Sequence, residues 1–254
     1  MEKRLEDKYP SVSTITQTEH IKIVKEIFST VTKRYDFLNH FLSMRQDIAW
    51  RRFTVKKMRF FHTCRFLDVA CGTADLALMA AARFPAINIV GLDFVQEMLD
   101  AGQIKIDKRK LSDRISLIRG DALSLPFDDN TFDVAGIAFG IRNIPGRISA
   151  LKEIMRVIVP NGQIVVLEMT FSRKSIFRKL YHTYLNRILP HLAKRFSMNA
   201  GAYYYLADSI MNFPAPDEFV QLMDEIGFEQ VKKYRLTMGI TYLHTGIKPE
   251  AVSP

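Results

Sequence analysis

The sequence predicts an α/β fold built on a doubly wound, mostly parallel sheet. Two observations carry that prediction. Short apolar strand candidates at 65–69, 87–92, 115–119, 132–138 and 163–168 alternate with helical apolar spacing at 75–84, 96–110 and 147–157. Strands buried on both faces and joined by helices read in this way, whereas a sheet with one wet face shows strict alternation. After a further helix at 216–227, residues 228–236 and 238–247 read as two closing strands, a hairpin that brings the total to seven.

The chain is organised around residues 66–75. An apolar run ends at Asp68, a small-residue turn follows from Ala70 to Ala74, and helical spacing begins at Leu76. A strand, a tight turn and a helix N-terminus in succession present unpaired backbone N–H groups and a partial positive charge, which favours anionic or strongly polar ligands. Pro160-Asn161-Gly162 reads as a turn before the fifth strand. Before the sheet, residues 1–18 read as a polar, poorly ordered start. A helical pattern runs from Ile21 to Val31, and the aromatic stretch from Tyr35 to Ser43 reads as a packed helix or as a lid over an apolar substrate.

Composition narrows the class. No apolar run reaches the roughly 18 residues of a membrane span, and Met1 to Tyr9 lacks the apolar core of a signal peptide. Cys64 and Cys71 make no disulfide framework, suit a reducing cytoplasm and lack the company of metal ligands, so no metal is expected. The net charge of +9 suggests a polyanionic partner, a nucleic acid or an anionic membrane surface, unless the protein is simply a basic enzyme. Part of that charge is a collar from Arg51 to Arg65 with no acid between Ile48 and Leu67. A second part lies between Phe171 and Phe196, which holds seven Lys/Arg and no acid. There Ile176, Phe177, Leu180, Tyr184, Leu185 and Ile188 fall on one stripe, and Pro190 ends the helix. A basic amphipathic helix either lies on a membrane surface or packs its stripe on the domain with a solvated back.

Three acids stand where strands should end: Asp68, Asp93 and Asp121. Ligands of doubly wound sheets bind beyond those ends. An acid after the second strand accepts bonds from both ribose hydroxyls. One after the third takes an adenine amino group or positions nearby backbone, and Asp68 holds an ammonium group or orders the turn. A dinucleotide is the competing ligand, since Gly72-Thr73-Ala74 begins a degraded glycine fingerprint and Asp93 lies 21 residues after Gly72. Two of the three glycines are alanine, and a ligand without a pyrophosphate has less need of them. The acids therefore favour S-adenosylmethionine.

With these residues assembled, the sequence resembles the class I methyltransferases, and specifically the C-methyltransferases of menaquinone and ubiquinone biosynthesis. The resemblance runs from about Ile27 to Lys248. It rests on Tyr35-Asp36-Phe37-Leu38-Asn39 with Trp50-Arg51, on Leu67 to Thr73, on Gly91-Leu92-Asp93-Phe94 and on Gly120-Asp121-Ala122. It rests most specifically on Phe139-Gly140-Ile141-Arg142-Asn143 and on Tyr205 to Pro214. It implies a Rossmann-like seven-stranded methyltransferase domain over 1–254, with a helical cap at 1–60, a cofactor core at 64–170, a helical insertion for substrate and membrane at 171–213, and a closing helix and hairpin at 214–248.

The resemblance also implies that Thr73, Asp93, Asp121 and Ala122 contact the cofactor and that position 138, here Ala138, lines the site; with Asp68, Gly72 and Phe94 at the first turn and the strand ends they make up the expected cofactor set. Ala138 stands where the family often has Ser, and Ala74 where it usually has Gly. The implied reaction is C-methylation of a prenylated quinol, of the menaquinone or the ubiquinone series. Such a reaction needs a ring carbon made nucleophilic by loss of phenolic proton density, about 3 Å from the methyl group, and a group that stabilises the developing phenolate. Arg142 and Asn143 are the catalytic candidates; the other reading of Arg142 is that it pairs with an acid and holds its loop. His182, His191 and His244 are not taken as the base.

A substrate with a prenyl tail gives the basic helix a purpose, and peripheral association with an anionic membrane at the inner face of the cytoplasmic boundary is expected. A homo-oligomer is left open. The alternative, a methyltransferase acting on RNA or another small aromatic, should show an Asn/Asp-Pro-Pro-aromatic motif or a cysteine after the fourth strand. Residues 138–143 show neither, so no nucleic acid is expected. An inert nucleotide fold that only binds membranes is the third reading.

Overall fold

β1 (Arg65–Val69) lies at the centre of a seven-stranded sheet in the order β3-β2-β1-β4-β5-β7-β6. The computed structural model describes residues 11–12, 14–32, 40, 43–172, 183 and 200–250. β2 (Asn88–Asp93) and β3 (Ile115–Arg119) run parallel to β1 on one side, β4 (Phe132–Ala138) and β5 (Ile158–Met169) on the other. β6 (Glu229–Leu236) and β7 (Thr241–Ile247) form the closing hairpin, and β7 pairs antiparallel with β5. The strand order turns back on itself between β1 and β4, and there an α/β sheet opens a crevice at its carboxyl edge.

The helices bury both faces. α2 (Gln46–Lys57), α3 (Asp75–Arg83) and α4 (Gln96–Lys108) cover one, with Trp50, Val55, Leu78 and Ile106 packed on Phe66, Ile89, Val165 and Leu243. α5 (Arg147–Val157) and α7 (Pro216–Ile226) cover the other, with Leu151, Ile154, Phe219 and Met223 on Val69, Ile137 and Val166. Neighbouring β1 residues thus enter different cores, Phe66 one and Leu67 the other, as the pleat requires. Below the sheet, buried Asp133 accepts from the backbone N–H groups of Phe61, His62, Thr63 and Cys64 at 2.8–3.1 Å and fixes the chain's entry into β1.

Two elements depart from the sequence reading. The first helix, α1 (Gln17–Val31), begins four residues before its apolar stripe. Thr16 and Glu19 form a capping box there, with Glu19 bonded back to the Thr16 N–H at 2.9 Å. The start of the chain is accordingly not loose throughout: Ser11 and Val12 bond the Asp208 carboxylate of α6 (Ala200–Met211) at 2.9 and 2.7 Å. The second departure is Pro160-Asn161-Gly162, which lies inside β5. Phe132 pairs with Ile158 and Val134 with Gln163, so the extra residues bulge from one strand, with Asn161 at φ +62°.

Candidate active site

The turn after β1 is held by its neighbours. Cys71 N–H donates to Leu92 O at 3.0 Å, and Gly72 N–H to Asp93 Oδ2 at 2.8 Å, so the end of β2 shapes the loop after β1. Gly72 and Ala74 have φ of +54° and +63°, and Ala70 and Phe139, at the ends of β1 and β4, have +50° and +60°. For an L residue this region costs about 1–2 kcal/mol each, and such strain gathers where structure serves a ligand. The methyl of Ala74 takes no space from that ligand. It is buried, and the Cα of Gly102 in α4 faces it so closely that a Cβ there would stand 3.4 Å away.

Two connected spaces open at this edge. The larger encloses about 860 Å3 including its open mouth, within the range of roughly 300–1,000 Å3 usual for small-molecule sites. Its floor is Ala70, Gly72, Asp93, Phe94, Asp121, Ala122 and Ala138; Phe139, Asn143 and Ile144 form one end, and Ile21, Val24 and Phe28 of α1 roof it. The smaller recess is lined by Arg51, Asp68, Thr73 and Asp75, and shares Ala70, Gly72 and Ala138 with the first. Every cofactor residue expected from the sequence lines one of the two spaces.

The electrostatics differ along this cleft. Asp93 is 8% exposed; Oδ1 takes the Val95 N–H at 2.9 Å and Oδ2 that of Gly72. Burial raises its pKa against those bonds, and a carboxylate with about four acceptor sites retains capacity for ligand hydroxyls. Asp121 is exposed, and its Oδ1 accepts from Leu123 N–H at 2.9 Å, which leaves Oδ2 for a ligand donor. Asp68 is 1% exposed and accepts from Ala77 N–H at 3.0 Å, so it does order the start of α3. Burial drives its pKa up to about 8, against the pull of that bond and of Arg51. A buried carboxylate of this kind, at the wall of a small recess, fits the ammonium of an amino-acid group. Arg51 across the recess fits its carboxylate, and the apolar larger space fits an adenine. The residues present therefore fit a zwitterionic adenosyl ligand.

Arg51 entered the sequence reading only as part of the basic collar and of Trp50-Arg51, not as a site residue. It is buried, donates to Asp47 Oδ2 at 2.6 Å, and lies 5.1 Å from the centroid of the Phe139 ring. Asp47 also binds His40 Nδ1 at 2.8 Å and the Ser43 hydroxyl at 2.7 Å. The signal was present: Asp47 precedes the acid-free collar by one residue and stands four before Arg51, one helical turn away.

Arg142 and Asn143 part company. Both lie in the 3-10 turn Ile141–Asn143 after β4. Asn143 lines the larger space, but Arg142 is buried and its Nη1 pairs with Glu168, a fully buried acid at the end of β5. Glu168 also accepts from the N–H groups of Arg142 and Met169 at 3.3 and 2.9 Å. The guanidinium is thus placed as the loop-holding reading of Arg142 describes. Among the described histidines, His244 is buried in β7 against Pro216 O and Phe219, with its pKa pushed down to about 4 by burial. The described residues contain no cluster of potential metal ligands. The Tyr35–Asn39 stretch, His182, His191, the basic helix and the side chain of Tyr203 lie outside the described residues.

Residues 15–248 match the model of the ubiE/COQ5 methyltransferase family. A relative from Geotalea uraniireducens (strain Rf4), the ubiquinone/menaquinone biosynthesis C-methyltransferase UbiE, is 43% identical over 232 residues, 91% of this chain and 98% of the relative. A demethylmenaquinone methyltransferase from Anoxybacillus flavithermus (strain DSM 21510 / WK1) is 37% identical over 228 residues, covering 89% and 96%. Among solved structures, a SAM-dependent methyltransferase from Thermotoga maritima, a possible histamine N-methyltransferase, superposes with a TM-score of 0.61 at 19% identity. It covers 88% of this chain and 99% of that one, and at this distance speaks to the fold alone. By the match over residues 15–248 and its identity to these relatives, the chain belongs to the ubiE/COQ5 methyltransferase family.

Proposed function

We propose that the cleft binds S-adenosylmethionine along its length and presents a prenylated quinol ring at the Asn143 end. The protein is an S-adenosylmethionine-dependent C-methyltransferase of quinone biosynthesis. The observation that carries the assignment of residues is the joining of a polar recess at Asp68 and Arg51 to an apolar chamber that ends at Asn143. Asp68 and Arg51 take the amino-acid end of the cofactor, Asp93 the ribose, and Asp121 with Phe94 and Ala122 the base. Thr73 lines the same recess, and its hydroxyl is bonded to Lys105 Nζ at 3.0 Å.

The cofactor supplies an electrophilic methyl group; the chain supplies position, dryness and a partner for the quinol oxygen. Asn143 is the polar side chain at the chamber's end, and its hydrogen bond to the quinol oxygen stabilises the phenolate formed as the quinol loses its proton, the form whose ring carbon attacks the methyl group. Arg142, paired with Glu168, holds the loop that carries Asn143. α1 roofs the chamber and keeps water from the reacting atoms. The ring is that of demethylmenaquinol, of the corresponding ubiquinol precursor, or of both. Quinones from a strain lacking this protein are expected to accumulate the ring-demethylated form by mass spectrometry, with the methylated form restored by the gene; an unchanged quinone profile would refute the assignment.

The tail of such a substrate resides in the bilayer. No helix among the described residues is long and apolar enough to cross a membrane. We assign the tail to the 171–213 insertion, whose seven cations between Phe171 and Phe196 support binding to an anionic surface from the cytoplasmic side. The protein is expected to sediment with anionic liposomes at low salt and to be released by salt. Replacing Arg178, Lys179 and Arg187 with Gln should weaken that binding roughly a hundredfold, since each cation near the surface contributes about 1 kcal/mol. Equal binding to neutral liposomes would oppose it.

A further inference from the structure

Behind Asn143 lies a buried chain of polar groups that the reaction as described does not use. The Tyr205 hydroxyl of α6 donates to Asn143 Oδ1 at 3.0 Å, and His20 Nε2 of α1 lies 2.8 Å from the same hydroxyl. The two rings meet edge to face at 5.8 Å, and His20 and Tyr205 are only 6% and 4% exposed. None of this is visible along the chain, because 185 positions separate His20 from Tyr205. Neither ring lines the chamber, whereas Asn143 does.

We propose that His20 and Tyr205 are positioning residues for methyl transfer: they fix the Asn143 side-chain amide so that its nitrogen, not its oxygen, serves the quinol oxygen. The inference rests on the placement of the quinol oxygen at Asn143 proposed above. A tyrosine hydroxyl has one hydrogen. Once that hydrogen goes to Asn143 Oδ1, the tyrosine oxygen must accept, and His20 Nε2–H is the donor at hand. The amide carbonyl is then occupied from behind. Of the two amide hydrogens, one approaches Phe139 O at 3.5 Å, and the other is left for the chamber. Reversal of the chain would turn the carbonyl toward the substrate, where it would oppose formation of the phenolate. A correctly aimed donor favours the phenolate from which the ring carbon attacks.

The groups around the chain keep it in this direction. Burial lowers the His20 pKa, Arg147 of α5 lowers it further, and Asp208 of α6 opposes them, so the ring is neutral at neutral pH. Burial pushes the Tyr205 hydroxyl well above its ordinary range, with Arg142 pulling the other way and Asp208 and Glu168 adding to the rise. The tyrosine therefore remains a donor. The same link ties α1 to α6 over the chamber, so the orientation of the amide is set only when the roof is in place.

The test compares His20→Leu, Tyr205→Phe, His20→Gln and Asn143→Leu in the full chain, by steady-state kinetics with a demethylated quinol and by calorimetric binding of S-adenosylmethionine. Tyr205→Phe and His20→Leu should each lower kcat roughly ten- to hundredfold, with cofactor Kd within about threefold of the parent. The double variant should fall no further than either single one. His20→Gln keeps a nitrogen donor near the Nε2 position and should recover most of kcat with an unaltered pH profile. Loss of the acid limb of that profile in His20→Gln would make His20 a proton acceptor and overturn the proposal. So would a fall in cofactor binding without a fall in kcat, which marks a purely structural tie. If Asn143→Leu lowers kcat while Tyr205→Phe and His20→Leu do not, the proposal alone fails; if Asn143→Leu has no effect, the placement of the quinol fails with it.

Discussion

Asp68→Asn is expected to weaken S-adenosylmethionine binding by roughly 30- to 1,000-fold, the equivalent of about 2–4 kcal/mol for loss of one member of a buried charge pair. The fold should survive, because an asparagine oxygen can still accept from the Ala77 N–H. The pH dependence is the more specific signature. In the free protein burial raises the Asp68 pKa from 3.8 to about 8. A raised pKa means that the folded state holds the proton more tightly than the unfolded chain. The contribution of Asp68 to stability is therefore greatest below about pH 4 and is lost as the pH climbs toward 8. The variant, which does not titrate, should gain on the parent in melting temperature between pH 5 and pH 8 when both are free of cofactor. Cofactor binding reverses this, because an ammonium in the recess favours the carboxylate. Binding to the parent at pH 7 should release up to one proton, measured by calorimetry in two buffers of different ionisation enthalpy, and binding to Asp68→Asn should release fewer. Unchanged affinity in the variant would mean that Asp68 only orders α3.

Glu168→Ala should destabilise the protein by about 3–5 kcal/mol, since it removes the buried carboxylate with which the Arg142 guanidinium is paired. Both side chains are nearly inaccessible, at 8% and 0% exposure for Arg142 and Glu168. Urea unfolding monitored by fluorescence reads this as a lower midpoint at constant slope. The pair Arg142→Met with Glu168→Leu should cost much less than the sum of the single changes, because a buried ion pair exchanged for apolar groups leaves no charge uncompensated. If the pair serves only to hold the loop, the double variant will retain cofactor binding and lose part of kcat. A loss of less than about 1 kcal/mol in Glu168→Ala would contradict this role of the pair.

The acids that line the cleft were legible in the sequence because their placement follows from local order. Asp68, Asp93 and Asp121 each follow an apolar run, and a parallel sheet delivers such positions to one edge whatever the details of packing. The Ala74 methyl shows the limit of that reasoning. Its position in the turn was evident, but the direction it points depends on Gly102, in a helix that the sequence places only by period. The start of α1 was written in Thr16 and Glu19, yet its first turn carries no apolar stripe, so periodicity found the helix late. Arg51 and the His20–Tyr205–Asn143 chain were hidden for another reason. They are contacts between separate elements, and a pattern of spacing cannot report which cation meets which acid. The sequence offered two roles for Arg142, and its contact with Glu168, 26 positions away, is one that spacing cannot report.

The most direct measurement is a reaction of the purified protein with methyl-labelled S-adenosylmethionine and a demethylated prenyl quinol in detergent or liposomes, followed by NMR of the product. The account predicts one labelled methyl on a ring carbon. Label on oxygen, or no transfer to the quinol while the protein still binds the cofactor, would contradict it.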